Sequence, residues 1–318
     1  MKIVRKALLA TAVATALSPA AVMADTTLFG NFDIAVAIES AEETAVAIED
    51  SPGGDNVIGI EGDLDLENGN SVTYQYIVNV DLDGDGSNGF GDTYHAFIGY
   101  KWDSVVLRAR VQDLPERLVM DKVDQFAGTY ADHGNLVGTA NGLANLVNGS
   151  SSTISVGTGT TADSSLMLLG GNDSVKYAVS LDTANNENSN DDDSSDGIRF
   201  GGMVDFSANE STSFAAGFES LTDAYDTFAL TANLGVSDSA EVTIGFEQHS
   251  FDASDADVTT IVLGGNVAVS DTTTLKAQFA TQDADDLGLD DDRIYFAIGA
   301  DFALSDNCLL YTSDAADE

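Results

Sequence analysis

The sequence predicts an all-β chain that crosses a membrane as an antiparallel barrel, and three observations predict it. Apolar and polar residues alternate over segments of about ten residues, the length a tilted strand needs to cross a bilayer. Short turns alternate with long acidic loops, as in membrane barrels, where one end carries tight turns and the other carries longer loops. No apolar run after residue 24 is long enough for a spanning helix, and helical periodicity is absent.

The ends are read first. Lys2, Arg5 and Lys6 precede the apolar run 7–21, and Val22-Met23-Ala24 supplies a small-residue cleavage pattern. Residues 1–24 therefore read as a cleaved secretory signal peptide, with Asp25 opening the exported chain. The last eleven residues, CLLYTSDAADE from Cys308 to Glu318, back-translate without a break into a sequence resembling a transposase sequencing adapter. They are expected to be foreign to the protein, which leaves 25–307 as a barrel incomplete at its C-terminal end. The only cysteine goes with them, so the exported chain has no disulfide framework, metal thiolate or thiol nucleophile.

Acidic residues number 53 against 12 basic ones, and three of the 12 lie in the signal peptide. That balance argues against nucleic-acid binding, which needs a basic footprint, and against a peripheral helix that docks on anionic lipid. A hydrophobic content of 43% with regular spacing argues for a folded chain rather than a disordered one. Only Pro52 and Pro115 follow the signal peptide, which suits long uninterrupted ladders.

The elements follow in order. Leu28, Phe32, Ile34, Val36 and Ile38 share one face of a first strand, and 41–55 reads as an acidic loop. Ile58 and Ile60 mark a second strand, closed by a turn at 67–70. The next strand sets Val72, Tyr74, Tyr76, Val78 and Val80 against Ser71, Thr73, Gln75 and Asn79. Strand 93–100 aligns Tyr94, Ala96, Ile98 and Tyr100, and Trp102 at its end suits either an interfacial aromatic girdle or a plain turn aromatic. Strand 104–112 sets Val105, Leu107, Ala109 and Val111 against Arg108, Arg110 and Gln112. The stretch 113–163 is the least regular. Alternation returns at 174–181, 198–206, 213–219, 227–236, 241–249, 259–269, 274–280 and 293–303, for about thirteen strands in all.

Strand 104–112 and the segment after it carry the candidate site. Two arginines cannot face a dry core unpaired, so their face meets water or acids. The segment that follows supplies Asp113, Glu116, Asp121 and Asp124. The pair reads as a basic wall opposed by an acidic loop, a pore constriction, with Lys176 and Arg199 extending the wall from neighbouring strands. Opposed charges in a narrow aqueous passage set ion preference, and the acidic excess predicts preference for cations.

A second candidate is calcium. Asp81, Asp83, Asp85, Ser87 and Asp92 fit D-x-D-x-D-G with an acid at position twelve, and calcium takes six to eight oxygens. Strands flank this loop where an EF-hand has helices, and Asp stands for the bidentate Glu, so a plain acidic loop is the other reading. No other cofactor is called for. His95, His133 and His249 carry no catalytic signature, and no nucleophile elbow or zinc pair is present, so no enzyme is expected.

The stretches TLFGNFDIAVAIE, IGIEGDLDLENGNSVTYQY, HAFIGYKWDSVVLRARVQDLPERLVMDKVDQF and NDSVKYAVS, in this order within 26–307, resemble the general trimeric porins of the Gram-negative outer membrane. The resemblance implies a sixteen-stranded antiparallel barrel and a homotrimer seated in outer-membrane lipid. It implies a third outer loop folded into the lumen, here 113 to roughly 135, and passive diffusion of small hydrophilic solutes and ions. The family's last strand with its terminal aromatic is absent, as expected if adapter sequence replaced the end. A reading from a different class is an exported acidic β-structured surface protein, adhesive or calcium-binding, without a pore. Long strands with lipid-compatible faces separate the two.

Overall fold

Period-two alternation sorts side chains onto two faces, and the fold uses both. The computed structural model describes residues 25–32, 34–40, 44–50, 56–80, 91, 93–126, 161–184, 197–222, 225–252, 256–283, 293–305 and 308–317. The first seven strands are β1 (Asp25–Asn31), β2 (Ile34–Ser40), β3 (Thr44–Asp50), β4 (Val57–Asp65), β5 (Ser71–Asn79), β6 (Thr93–Trp102) and β7 (Val105–Asp113). A single helical turn follows, α1 (Arg117–Met120). Then come β8 (Thr161–Gly171), β9 (Val175–Ala184), β10 (Gly197–Asn209), β11 (Thr212–Leu221) and β12 (Tyr225–Ser237). The last are β13 (Ala240–Phe251), β14 (Ala256–Ser270), β15 (Thr273–Asp283), β16 (Arg293–Ser305) and β17 (Cys308–Asp317).

Fifteen of these strands form one antiparallel sheet in the order β1, β4, then β5 to β17 in sequence, while β2 and β3 pair as a separate hairpin. Neighbours in the chain are neighbours in the wall, the up-and-down pattern of a membrane barrel. Edges β1 and β17 are joined by no ladder among the described residues.

The count of seventeen among the described residues differs from the thirteen strands expected, for four local reasons. The stretch 41–55, expected to be a loop, contains β3, whose alternation in TAVAIED is masked by the acids around it. The irregular stretch up to 163 runs into β8, whose Leu166, Met167, Leu168 and Leu169 give no polar phase. Residues 308–317 pair with β16 as β17. The first strand also ends earlier than read, at Asn31, with β2 turning to pair β3.

The two faces are distinct. Along the row Ala232–Ile244–Leu263–Phe279–Phe296, each residue opposes the next across β12 to β16. Leu263 and Phe296 in that row are 49% and 48% exposed. Their neighbours in the chain, Val262 and Tyr295, are buried. Exposed Val, Ile, Leu or Phe stand on the outer phase of every strand from β9 to β16, an apolar band far larger than a soluble monomer shows. It is the lipid face. No helix of the described residues is long and apolar enough to cross a membrane, so the crossing is made by strands. With no water in the bilayer core, an unbroken antiparallel ladder is what keeps every backbone group of such strands paired.

The turns differ at the two ends. Pairs such as β6–β7, β10–β11, β12–β13 and β14–β15 join through two residues. At 66–70 the turn is held by Gly69, which adopts φ +81° and donates its N–H to the Leu66 carbonyl at 3.0 Å. The opposite end carries the long connections, including the one after β7. Trp102 lies at the tight-turn end beside Tyr100, ring centroids 5.9 Å apart and both partly exposed. That is the position of an aromatic at a membrane boundary.

Candidate pore constriction

The loop leaving β7 does not extend outward. It turns into the lumen and lies on the inner wall. The departure begins at Arg110, whose φ of +99° marks a break in the ladder with β8 between Arg110 and Gln112. A bulge re-aims side chains. Alternation therefore fails here: Val111 and Gln112 are both buried, where opposite faces were expected, and Gln112 Nε2 donates to Ser165 Oγ at 2.9 Å.

From Leu114 to Phe126 the loop presents an apolar underside. Val119 and Val123 are fully buried and Met120 and Phe126 nearly so. They pack on Ala215, Ala229, Val262, Ala280, Tyr295 and Ala297, which are inward-facing residues of β11, β12, β14, β15 and β16. The wall is shaped to receive them. A Cβ added at Gly217 would stand 2.9 Å from Val119 Cγ2, and one at Gly245 would stand 2.8 Å from Val123 Cγ2. At Gly264 it would meet Gln125 Cγ at 2.9 Å, and at Gly201 the Pro115 ring at 3.5 Å. The loop thus crosses the wall from β10 to β14 along a lane of small residues.

Polar contacts fix both ends of this seam. At the far end Gln125 is held on three sides. Its N–H donates to Gln278 Oε1 at 2.6 Å, its Nε2 to Thr243 Oγ1 at 3.3 Å, and its Oε1 accepts from Asn266 Nδ2 at 2.9 Å. Asp124 accepts from the Phe126 N–H at 2.9 Å and from Gln278 Nε2 at 3.1 Å. Midway, Lys122 Nζ reaches Asp205 Oδ2 on β10 at 2.7 Å.

At the near end the carboxyls of Glu116 and Glu247 share a hydrogen bond, with Glu219 close by. Glu116 Oε1 is wholly enclosed. Burial, then the charge and hydrogen bond of Glu247, hold the Glu116 carboxyl well above the usual range. Such a group binds its proton more tightly when the loop is docked than when it is free. Docking is therefore favoured at acidic pH and weakens as pH rises through the docked value.

The expected site residues fall as follows. Asp113 faces His95 Nε2 at 3.2 Å. Asp121 pairs with Arg117 at 3.4 Å, one helical turn away. Arg108 stacks over the Phe97 ring at 4.3 Å and feels the charge of Asp63. Arg110 is exposed. Lys176 is exposed on β9, opposite Asp205 in the register. Arg199 is buried between Asp182 at 4.0 Å and Glu219 at 3.8 Å. Glu219 also accepts a hydrogen bond from the Tyr225 hydroxyl. The loop acids thus find partners on the loop itself and on β6, β13 and β15. Asp81, Asp83, Asp85, Ser87 and Asp92 lie outside the described residues.

Sequence reading missed the seam. Its signal was present: LVMDKV places an apolar run inside an acidic loop, and the lane glycines fall on the lumen phase of strands where polar residues would otherwise stand. Glu61 and Asp63 were missed as well. They share the inward phase of β4, and Glu61 accepts from Gln75 Nε2 at 3.0 Å.

Asp121 has half of its side-chain surface open to lumen water, yet barrel wall surrounds it. That crowding pushes its carboxyl up to about 6, with Asp113 and Asp124 adding and Arg117 opposing. It is protonated below that value and charged above it. Between pH 5 and 7 the passage should gain negative charge, so the reversal potential should move toward the cationic side as pH rises. Reversal potentials in a salt gradient across that range check this, and Asp121→Asn should flatten that shift.

A barrel with an apolar outer band and a polar lumen narrowed by an inward loop defines an outer-membrane channel. The chain belongs to the Gram-negative porin family, whose family model matches residues 10–318. It resides in the outer membrane and is a channel rather than an enzyme. An anion-selective porin from Comamonas acidovorans is similar in fold, with a TM-score of 0.75 at 18% identity over 92% of this chain and 88% of that one. OmpT of Vibrio cholerae in its trimer form gives 0.65 at 13% identity, over 93% and 89% of the two chains. A Rhodopseudomonas blastica porin mutant gives 0.61 at 18% identity, over 92% and 94%. A comparison with curated proteins finds no match.

Proposed function

We propose that this porin passes small hydrophilic solutes and ions by passive diffusion, prefers cations, and works as a homotrimer. The carrying observation is the docked loop. Its described part, Leu114 to Phe126, packs on the β10–β16 side of the lumen with a dry seam, and we read the β4–β8 side as the passage. That side carries Glu61 and Asp63 beside Arg108, and Asp121 stands on the loop with part of its surface open to water. With a formal charge of −41 over the whole chain, the surrounding field favours cations.

The Comamonas protein is described as anion-selective. Selectivity follows the charges that line a pore rather than its fold, so the likeness does not carry that property across. The trimer reading draws on the Vibrio protein, described in a trimer form. The surface-protein reading is not favoured, because it gives no role to a lipid-facing band.

Planar-bilayer recording across a potassium chloride gradient tests the proposal. Stepwise conductance with a reversal potential of cationic sign is the expected result. Anionic sign would overturn the preference, and absence of steps from folded protein would overturn the channel. The mass of the detergent-solubilised protein, expected at three copies, tests the assembly.

A further inference from the structure

We infer that the glycines of the inner wall, Gly217 and Gly245 above all, set the aperture of the pore by fixing how deeply the loop sits. The inference rests on the channel reading above and assigns the residues that tune it. Both glycines have ordinary backbone angles, so conformation does not require them. Space does. The loop backbone itself approaches Gly217, where an added Cβ would meet Glu116 Cα at 3.2 Å as well as Val119 Cγ2 at 2.9 Å. At Gly245 the obstruction is side chain only: Val123 Cγ2 at 2.8 Å, with the flexible end of Met120 at 3.4 Å and Val262 Cβ at 3.5 Å.

A methyl group at either position lifts the loop off the wall. The only direction open to it is toward the lumen water, because the strand ladders behind the wall are continuous on both sides. Each added carbon on the wall therefore becomes lost width in the passage. The two positions differ in a way that can be tested. Val123→Ala removes the atom that Gly245→Ala would strike, whereas Val119→Ala leaves Glu116 Cα in the path of Gly217→Ala.

The experiment is single-channel recording of the full chain and its variants, each checked for wild-type strand content and detergent-solubilised mass. Gly217→Ala and Gly245→Ala should each lower unit conductance, by roughly a quarter to a half. Val123→Ala should restore the Gly245→Ala channel, and Val119→Ala should not fully restore Gly217→Ala. Gly202→Ala is the control. It lies on the lipid-facing phase of β10, where an added Cβ would meet the Phe218 ring, and it should conduct as wild type. Val123→Phe adds the same bulk from the loop side without altering a strand, so it reads the seam even if a wall variant fails to assemble. Wild-type conductance in both glycine variants and in Val123→Phe would overturn the inference and leave the channel standing. A folded wild-type chain without conductance would instead overturn the channel reading.

Discussion

Val123→Asp should release the loop and produce a larger, noisier unit current. Val123 has no exposed surface, and its carbonyl accepts from Thr243 Oγ1 at 3.2 Å. An ionised carboxylate in that seam would have apolar neighbours in Val262 and Met120. Burying it unpaired costs several kcal/mol or more, comparable with what the apolar underside of so short a segment contributes at ~25 cal/mol per Å². The seam then opens while the wall persists, because the ladders from β10 to β16 do not pass through the loop. Unit conductance should rise roughly twofold as the obstruction leaves the passage, with strand content unchanged. Val123→Ala, which keeps the seam dry, should stay close to wild type. An unchanged current in Val123→Asp with an intact barrel would mean the loop is held by its polar ends, Gln125 and Glu116, and not by the seam.

The contrast between wall and seam shows what a sequence can and cannot reveal. The lipid face was legible because the bilayer demands an apolar residue at every second position. The phase read for β5 is that of the structure: Tyr76 is 49% exposed, while Gln75 turns inward to Glu61. The lumen face has no such demand. Water, a loop or a neighbouring side chain can cover it, and β8 was lost for that reason: Met167 faces inward opposite Arg108, so both phases are apolar. The loop's location was carried by the family resemblance, and its partners were not legible at all. Contacts such as Thr243 with Val123 and Gln278 with Gln125 span 120 and 153 residues, a separation no local pattern encodes. The acids after Gln112 were read by charge alone, as opponents of Arg108 and Arg110. Their partners are set instead by where the apolar seam lays the loop, which brings Asp124 to Gln278 and Glu116 to Glu247.

Leu263→Arg should prevent stable insertion, while the larger charge change Lys176→Glu should be tolerated. Leu263 lies near the middle of the fifteen-residue β14, on the outer face and 49% exposed, with Ile244 and Phe279 beside it in register. Nothing on that face can accept the five donors of a guanidinium. A lipid-facing Arg near the midplane of a barrel costs about 2–4 kcal/mol, a large part of the stability of an ordinary fold. Lys176 is equally charged, on a strand of the same wall, but it faces the lumen and is itself exposed to water. Its replacement by Glu, opposite Asp205 in the register, should lower unfolding free energy by no more than about 1 kcal/mol, the scale of a like-charge cross-strand pair, and should move the reversal potential toward the cationic side. Urea unfolding in lipid vesicles, with recording of the folded fraction, reads both. Equal destabilisation by the two variants would mean that the outer band is not in contact with lipid, and with it would go the assignment of the two faces on which the passage depends.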